Sequence, residues 1–512
     1  TGLRSGWLNS PMIGAYLGDI ARVRLFYDGV ELPPLDPSFG GANDLGRVPV
    51  WSLEDVTVER GADEVRVHMR TWRTQRTTSY TRTDVMTGDE DTNLYRGFFA
   101  KRFRRGEALQ VGAQQYGTTA PRSGDGGGDA LSLLARVGWA RARWSADAFV
   151  VRTGLTRDPR VQRIGGRLGT PRDTIPRFDG RETQAYARAA WGDPDAPGPW
   201  VQLVAASLAV EADTAPAFIV SGSPPDTTLI PRLENRGTQY VAAAGASLLG
   251  VRLSVTDRVW AYRGERVNIP SARAAFERRA FSLSLFAQGP GLDSVARLDA
   301  IARVMPLGFL AFGGAASRVR DDRSRALHEQ ATHLRGEVGL RLHELWLIGG
   351  VLVRDAARLA APLVYDTALV AAEEARQTGV FASIQGRIWR GIRVDAHGVA
   401  WDTAGVYRPK YQARSDVFIR TSLPRKIRSG NFGLHASLRH DYRSPVYFPQ
   451  RDGSLGRANT SRVLTGLLEI RIVNAVLFFQ SRNFLREEYE LVPGYEMPRQ
   501  VQLYGVRWDF WN

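Results

Sequence analysis

The chain has 512 residues, more than one ordinary soluble core supports, and no Gly/Ser/Pro linker divides it into compositionally distinct halves. It has no cysteine, which excludes a disulfide framework and thiolate metal ligation. Its formal charge of +15 comes almost wholly from arginine, with Lys101, Lys410 and Lys426 the only lysines; these arginines are spread along the chain and accompany no nucleic-acid-binding motif, so no nucleic-acid partner is expected. The longest apolar stretch, from Leu345 to Val353, holds two glycines and is strand-sized, well short of the ~18 apolar residues of a membrane helix. The chain opens at Thr1 without a visible signal peptide and reads as a processed or partial form.

Residues 1–75 are dominated by turns. An apolar strand from Arg22 runs into Asp28-Gly29-Val30, a Val48-Pro49 step follows, then Val56, Val58, Glu59, Arg60 and Gly61, and an alternating strand spans Glu64 to Trp72. This stretch resembles the second half of the plug domain of TonB-dependent outer-membrane receptors, in the marks Asp28, Gly29, Val58, Glu59, Arg60 and Gly61. The resemblance implies a partial plug-like segment over 1–75, lying within or beneath a barrel formed by 76–512. The first half of such a plug and the TonB-box segment used for energy coupling are not visible.

From about residue 76 one unit recurs: ten to fourteen residues of alternating polarity, then a turn. Ile392, Val394, Ala396 and Gly398 oppose Arg393, Asp395 and His397. Ala413, Ser415, Val417 and Ile419 oppose Gln412, Arg414, Asp416 and Arg420. Short connections (Leu248-Leu249-Gly250, His343-Glu344, Val473-Asn474) alternate with long ones (154–180, 213–235, 355–376, 443–460, 485–499), the rhythm of periplasmic turns and extracellular loops. About 21 strands are countable, but single-chain barrels carry even numbers. The rhythm changes phase between 263 and 330, which places one further strand within 264–290.

At the C-terminus Tyr504, Val506, Trp508 and Phe510 share one face, and Arg507 and Asp509 the other. A membrane barrel turns aromatics to lipid and charge to its lumen. With Asn483, Tyr489, Pro493, Gly494, Tyr495, Met497, Pro498 and Arg499 ahead of it, this end resembles the barrel-closing end of the same receptor family, except that Trp511 and Asn512 extend past Phe510. The resemblance covers the two ends of the chain; the middle matches in pattern.

No nucleophile elbow, phosphate loop or dinucleotide fingerprint occurs, and no enzyme or cofactor is expected. His328 and His333, five apart, read as lumen or turn histidines rather than a ligand pair. Asp89-Glu90-Asp91, and Asp125 with Asp129, suit either Ca²⁺ or solvated loops. Glu337 and Asp395, beside Arg335 and Arg393, read as cross-strand ion pairs. Arg157, Arg160, Arg163, Arg167 and Arg172 suit anionic lipid heads, an acidic ligand, or a solvated loop.

The expected fold is all-β: a transmembrane antiparallel β-barrel of 22 strands with a short N-terminal plug-like segment, in a bacterial outer membrane. Its barrel-closing strand carries Tyr504, Val506, Trp508 and Phe510, and its lumen-facing candidates are Arg393, Asp395, His397, Arg414, Asp416, Arg420, Arg507 and Asp509. The resemblance implies import of a scarce solute through the plugged barrel, with outer-membrane lipid, lipopolysaccharide and an inner-membrane energy-coupling complex as partners. The alternative is a barrel with a reduced plug, acting as a structural or assembly partner of other surface proteins or as a passive porin.

Overall fold

The computed structural model of the protein describes residues 14, 16, 22–35, 45, 48–119, 127–164, 170–175, 177–219, 226–291, 295–321, 330–361, 369–422 and 431–511. Near the N-terminus, β1 (Val23–Tyr27), β2 (Val30–Leu32), β3 (Leu53–Arg60) and β4 (Val65–Thr71) form a sheet in the order β2-β1-β4-β3. β1 runs parallel to β4, and the other pairs are antiparallel. The β1–β2 hairpin turns on Asp28 (φ 51°) and Gly29 (φ 87°). A two-residue hairpin that follows strand twist needs both residues in the left-handed region, which Asp and Gly tolerate best.

From β5 (Tyr80–Gly88) onward the described chain builds a closed ring of 22 antiparallel strands, with small two-stranded hairpins in its longer connections. Two strands occupy 264–290: Glu265–Arg278 and Phe281–Gln288, paired across a tight turn, with Phe276 and Phe281 packed beside it. The ring closes where Val501–Trp511 pairs antiparallel with β5, placing Arg507 opposite Asp84 and Trp508 opposite Thr83. Closure leaves the wall with no free sheet edge, which matters in lipid because no water is there to satisfy one.

Alternation sorts side chains to the two faces of this wall. Outward positions are apolar and open: Leu203 is 56 %, Leu253 54 % and Trp508 50 % exposed. Inward positions carry the charges. Arg136, Asp147, Arg258, Arg297 and Asp299 are all buried against the N-terminal sheet or one another. Small N-terminal segments bury little apolar area of their own, and here the core is shared: Leu25, Tyr27, Val30 and Leu32 pack with wall residues Phe149, Val204, Val241 and Trp260. Gly112 in the wall leaves room for Trp51, since a Cβ there would meet the indole ring at 2.8 Å.

The two rims differ. One has tight turns such as Leu249-Gly250, His343-Glu344 and Val473-Asn474; the other has long connections carrying small hairpins of their own, Ala357–Leu359 with Ala372–Glu374 and Val446–Pro449 with Leu455–Ala458. These long connections pack into a separate apolar cluster that includes Leu359, Tyr407, Val446, Phe448 and Tyr495. Glu374, buried beside it, is held between Arg354 (3.1 Å) and Arg408 (3.0 Å).

Val506 stands in register with Leu477 and Val85, both exposed on the outer wall. Val506→Arg is expected to cost roughly 2–4 kcal/mol in denaturant unfolding from a bilayer, while Arg507→Gln costs much less.

Candidate functional site

The two faces of the N-terminal sheet have opposite chemistry. One face carries Arg24, Phe26, Glu59, Arg66 and His68; the other carries Val23, Leu25, Val56, Val58, Val65 and Val67. The charged face is clamped to the wall. Arg66 pairs with Glu64 at 2.6 Å, Glu59 at 3.1 Å and Asp299 of the wall, and its guanidinium lies 3.9 Å from the Phe286 ring centre. Glu64 also meets Arg297 at 3.0 Å, and Arg273 meets Glu59. Glu31 bridges Arg24 (2.6 Å) and Arg258 (3.1 Å), and its backbone exchanges hydrogen bonds with the Gln239 side-chain amide.

A second cluster centres on Asp28. Its carboxylate accepts hydrogen bonds from Tyr186 (2.6 Å), the Thr71 backbone N–H (3.0 Å) and the Thr71 hydroxyl, and pairs with Arg136 (3.1 Å) and Arg73 (3.2 Å). Asp147 joins it through Arg188 at 2.7 Å and Arg136 at 3.5 Å. Deleting one member of such a buried ion pair strands the other charge, at about 3–5 kcal/mol. Among the described residues, every ion pair between this sheet and the wall falls on the half of the ring from Gly128–Arg141 to Gln330–Leu342.

Across the lumen the arrangement opens. A cavity of about 720 Å³ lies between the valine face of the sheet and the remaining wall, with His397, Gln412, Arg439, Gln480 and Arg482 among its wall residues and Arg60 at the end of β3. Val56 and Val58 are about half exposed into it (48 % and 47 %).

Of the plug-like marks, Asp28 and Glu59 lie in the ionic clamp, Gly29 in the hairpin turn, and Val58 and Arg60 on the cavity. Gly61 donates its N–H to the Glu64 carbonyl at 3.0 Å and accepts from the Tyr16 hydroxyl. The candidates on the wall's inner face form short ladders: Arg414 pairs with Asp441 (2.5 Å), Asp416 with Arg439 (2.9 Å), and His397 stands opposite Arg414. Arg393 is opposite Phe418, Asp395 opposite Asp416, and Arg420 opposite His435. Arg507 approaches Asp84 at 3.9 Å, and Asp509 accepts the Tyr80 hydroxyl at 2.6 Å. On the other face of that last strand Tyr504 and Trp508 are exposed, and the Trp508 ring stacks on Phe510 at 4.8 Å.

Three expectations are corrected. His333 is not wet: it is fully buried, its Nε2 3.2 Å from Asp63, because the clamp covers its strand. Glu337 pairs with Arg335 of its own strand at 2.8 Å, since residues two apart share a face; Asp395 pairs with no arginine among the described residues. Arg157 is buried over the Phe178 ring rather than solvated. The Asp89 carboxylate accepts the Gln502 N–H (2.9 Å) and so ties its turn to the last strand. His328, Asp125 and Arg167 lie outside the described residues, as do the side chains of Arg160, Arg163 and Arg172. The sequence reading missed Glu64, Arg66, Asp299 and Arg297. Their signal was a carboxylate and an arginine on a strand of a segment too small for its own core, and alternate charged positions at 297 and 299.

Burial pushes the Glu64 carboxyl up, but Arg297, Arg24 and Arg66 together outweigh it and hold the group at about 2. Its folded value lies below the unfolded one, so its stabilisation is fully present above about pH 4.5 and is lost as pH falls toward 2, on the order of 3 kcal/mol. Unfolding midpoints measured from pH 6 to pH 3 are expected to fall in the native protein and to fall less steeply in Glu64→Gln.

No family model matches the chain, and no curated protein matches it by sequence. Its structure is similar to that of the copper transporter OprC (TM-score 0.72, 10 % identity, covering 100 % of this chain and 93 % of that one). It is also similar to the siderophore receptor PiuA from Acinetobacter baumannii (0.69, 10 %, 99 % and 92 %) and the FrpB iron transporter from Neisseria meningitidis (0.68, 9 %, 96 % and 92 %). The fold is therefore that of the TonB-dependent outer-membrane receptors, a 22-stranded barrel around an inner sheet.

Proposed function

We propose that the protein is an outer-membrane receptor that imports a solute through its barrel, residues 1–75 acting as the plug of a barrel formed by 76–512. The observation that carries this reading is the one-sided attachment of the inner sheet: clamped by ion pairs to half of the ring, it leaves a cavity along the other half. Such a sheet blocks a straight pore yet needs to move on one side only for a solute to pass. Tyr504, Val506, Trp508 and Phe510 face outer-membrane lipid in this reading, and rim arginines meet lipopolysaccharide. Energy comes from an inner-membrane TonB complex contacting the periplasmic side. The similar solved proteins are described as siderophore, iron and copper receptors or transporters, which makes metal-linked solutes the first to test.

The same cavity supports a second reading, a passive pore or a partner in a surface assembly, because space already exists beside the sheet. Cells expressing the chain are offered labelled ferric chelates, copper, oligosaccharides and peptides, with and without a protonophore. Receptor function predicts uptake of one class that stops when the proton gradient or the TonB partner is removed. Uptake indifferent to both, matched by steady conductance in planar bilayers, establishes the pore instead.

A further inference from the structure

The cavity beside the inner sheet combines two features: an open apolar face and arginines without carboxylate partners among the described residues. On β3, alternation turns Val56, Val58 and Arg60 into the cavity while Glu59 turns to the clamp. Exposed valines in a wet lumen are unfavourable unless something covers them. Most of the cationic lining is neutralised locally: Arg335 by Glu337, Arg408 by Glu374, Arg439 by Asp416, and the lining carboxylate Asp441 by Arg414. Arg60 and Arg482 line the same cavity, both are exposed, and neither has a carboxylate partner among the described residues. His397, Gln412 and Gln480 add hydrogen-bonding groups without adding a fixed negative charge.

We infer that this cavity is a binding site for an amphipathic anion, with an apolar surface seated on Val56 and Val58 and acidic groups received by Arg60 and Arg482. The inference rests on the receptor reading and names the class of solute for it. Its volume of about 720 Å³ accommodates a compact organic molecule rather than a folded protein. Guanidinium groups suit carboxylate, sulfonate or phosphate oxygens because they present paired donors in one plane. A purely inorganic anion would leave the valine face uncovered, and a neutral apolar molecule would leave two charges unanswered.

The test uses the full chain in lipid nanodiscs, titrated calorimetrically with naphthalene-1,5-disulfonate, a flat apolar ring bearing two anionic groups. Naphthalene-1,5-diol and sodium sulfate are the neutral and the wholly polar comparisons. The disulfonate is expected to bind at one per barrel and at least tenfold more tightly than either. Arg60→Gln and Arg482→Gln should each weaken it about tenfold, the size of one lost charge-assisted contact. The pair Val56→Thr and Val58→Thr should weaken the disulfonate and leave sulfate unchanged. Heat-modifiable electrophoretic mobility confirms that each variant keeps its barrel. Absence of disulfonate binding to the native chain, binding indifferent to both arginine substitutions, or equal binding of the diol overturns the assignment. No gradient is involved, so failure here alongside energised uptake discards only the anion class, whereas binding here without energised uptake discards only the receptor reading.

Discussion

Everything in this protein depends on a backbone constraint: a sheet that crosses lipid has no water to satisfy an unpaired edge, so it must close on itself. The pairing of Val501–Trp511 with β5 is where that requirement is met, and it joins the two ends of the barrel sequence. Once the ring is closed, period-two alternation gives every strand one lipid face and one lumen face. The arginine-rich composition then acquires a location, because the charges that could not face hydrocarbon line an interior wide enough to hold another sheet.

That interior is not uniformly wet. Where the inner sheet meets the wall, arginines and carboxylates are buried together, with Arg66, Glu64 and Asp299 nearly inaccessible. Taking such groups out of water costs several kcal/mol per ion, and attraction recovers it only when geometry is good and each charge has several partners. The clamp meets that condition by sharing: Glu64 serves Arg24, Arg66 and Arg297, and Asp28 serves Arg73 and Arg136. Shared pairs do not add much net stability compared with apolar packing. They do specify position, since a one-residue register slip of a strand within the sheet would carry its charged residues to the valine face, away from their partners on the wall.

The asymmetry of the lumen follows from this. A sheet with one polar face and one apolar face can be ion-paired to the wall on one side only. The opposite side is left with valines facing a cavity whose far wall mixes apolar residues with His397, Gln412, Arg439, Gln480 and Arg482. Arg408, next to the packed cluster around Phe448 and Tyr407, lines this cavity, and so do Met497 and Tyr489 of a second apolar cluster that includes Val501 and Leu503.

Much of this was legible in the residues. The barrel class, the strand count including the extra strand in 264–290, and the short and long rims follow from alternation and turn chemistry, which are local properties of the chain. Asp28-Gly29, which the sequence offered only as a mark of resemblance, forms a hairpin turn in the structure, because few other residue pairs tolerate two successive left-handed conformations. What sequence alone left open was which inward charge meets which. Alternation assigns a face but not a height or a position around the ring, and those depend on the stagger of all 22 strands and on where the inner sheet rests. His333 therefore read as a wet histidine and is a buried partner of Asp63, and Glu337 found its arginine two residues away rather than across a ladder. Only the tertiary structure brought Arg60 and Arg482, more than 400 positions apart in the chain, to one cavity and left both without a carboxylate partner among the described residues, because only the closed ring places the last strands beside the edge of the first sheet.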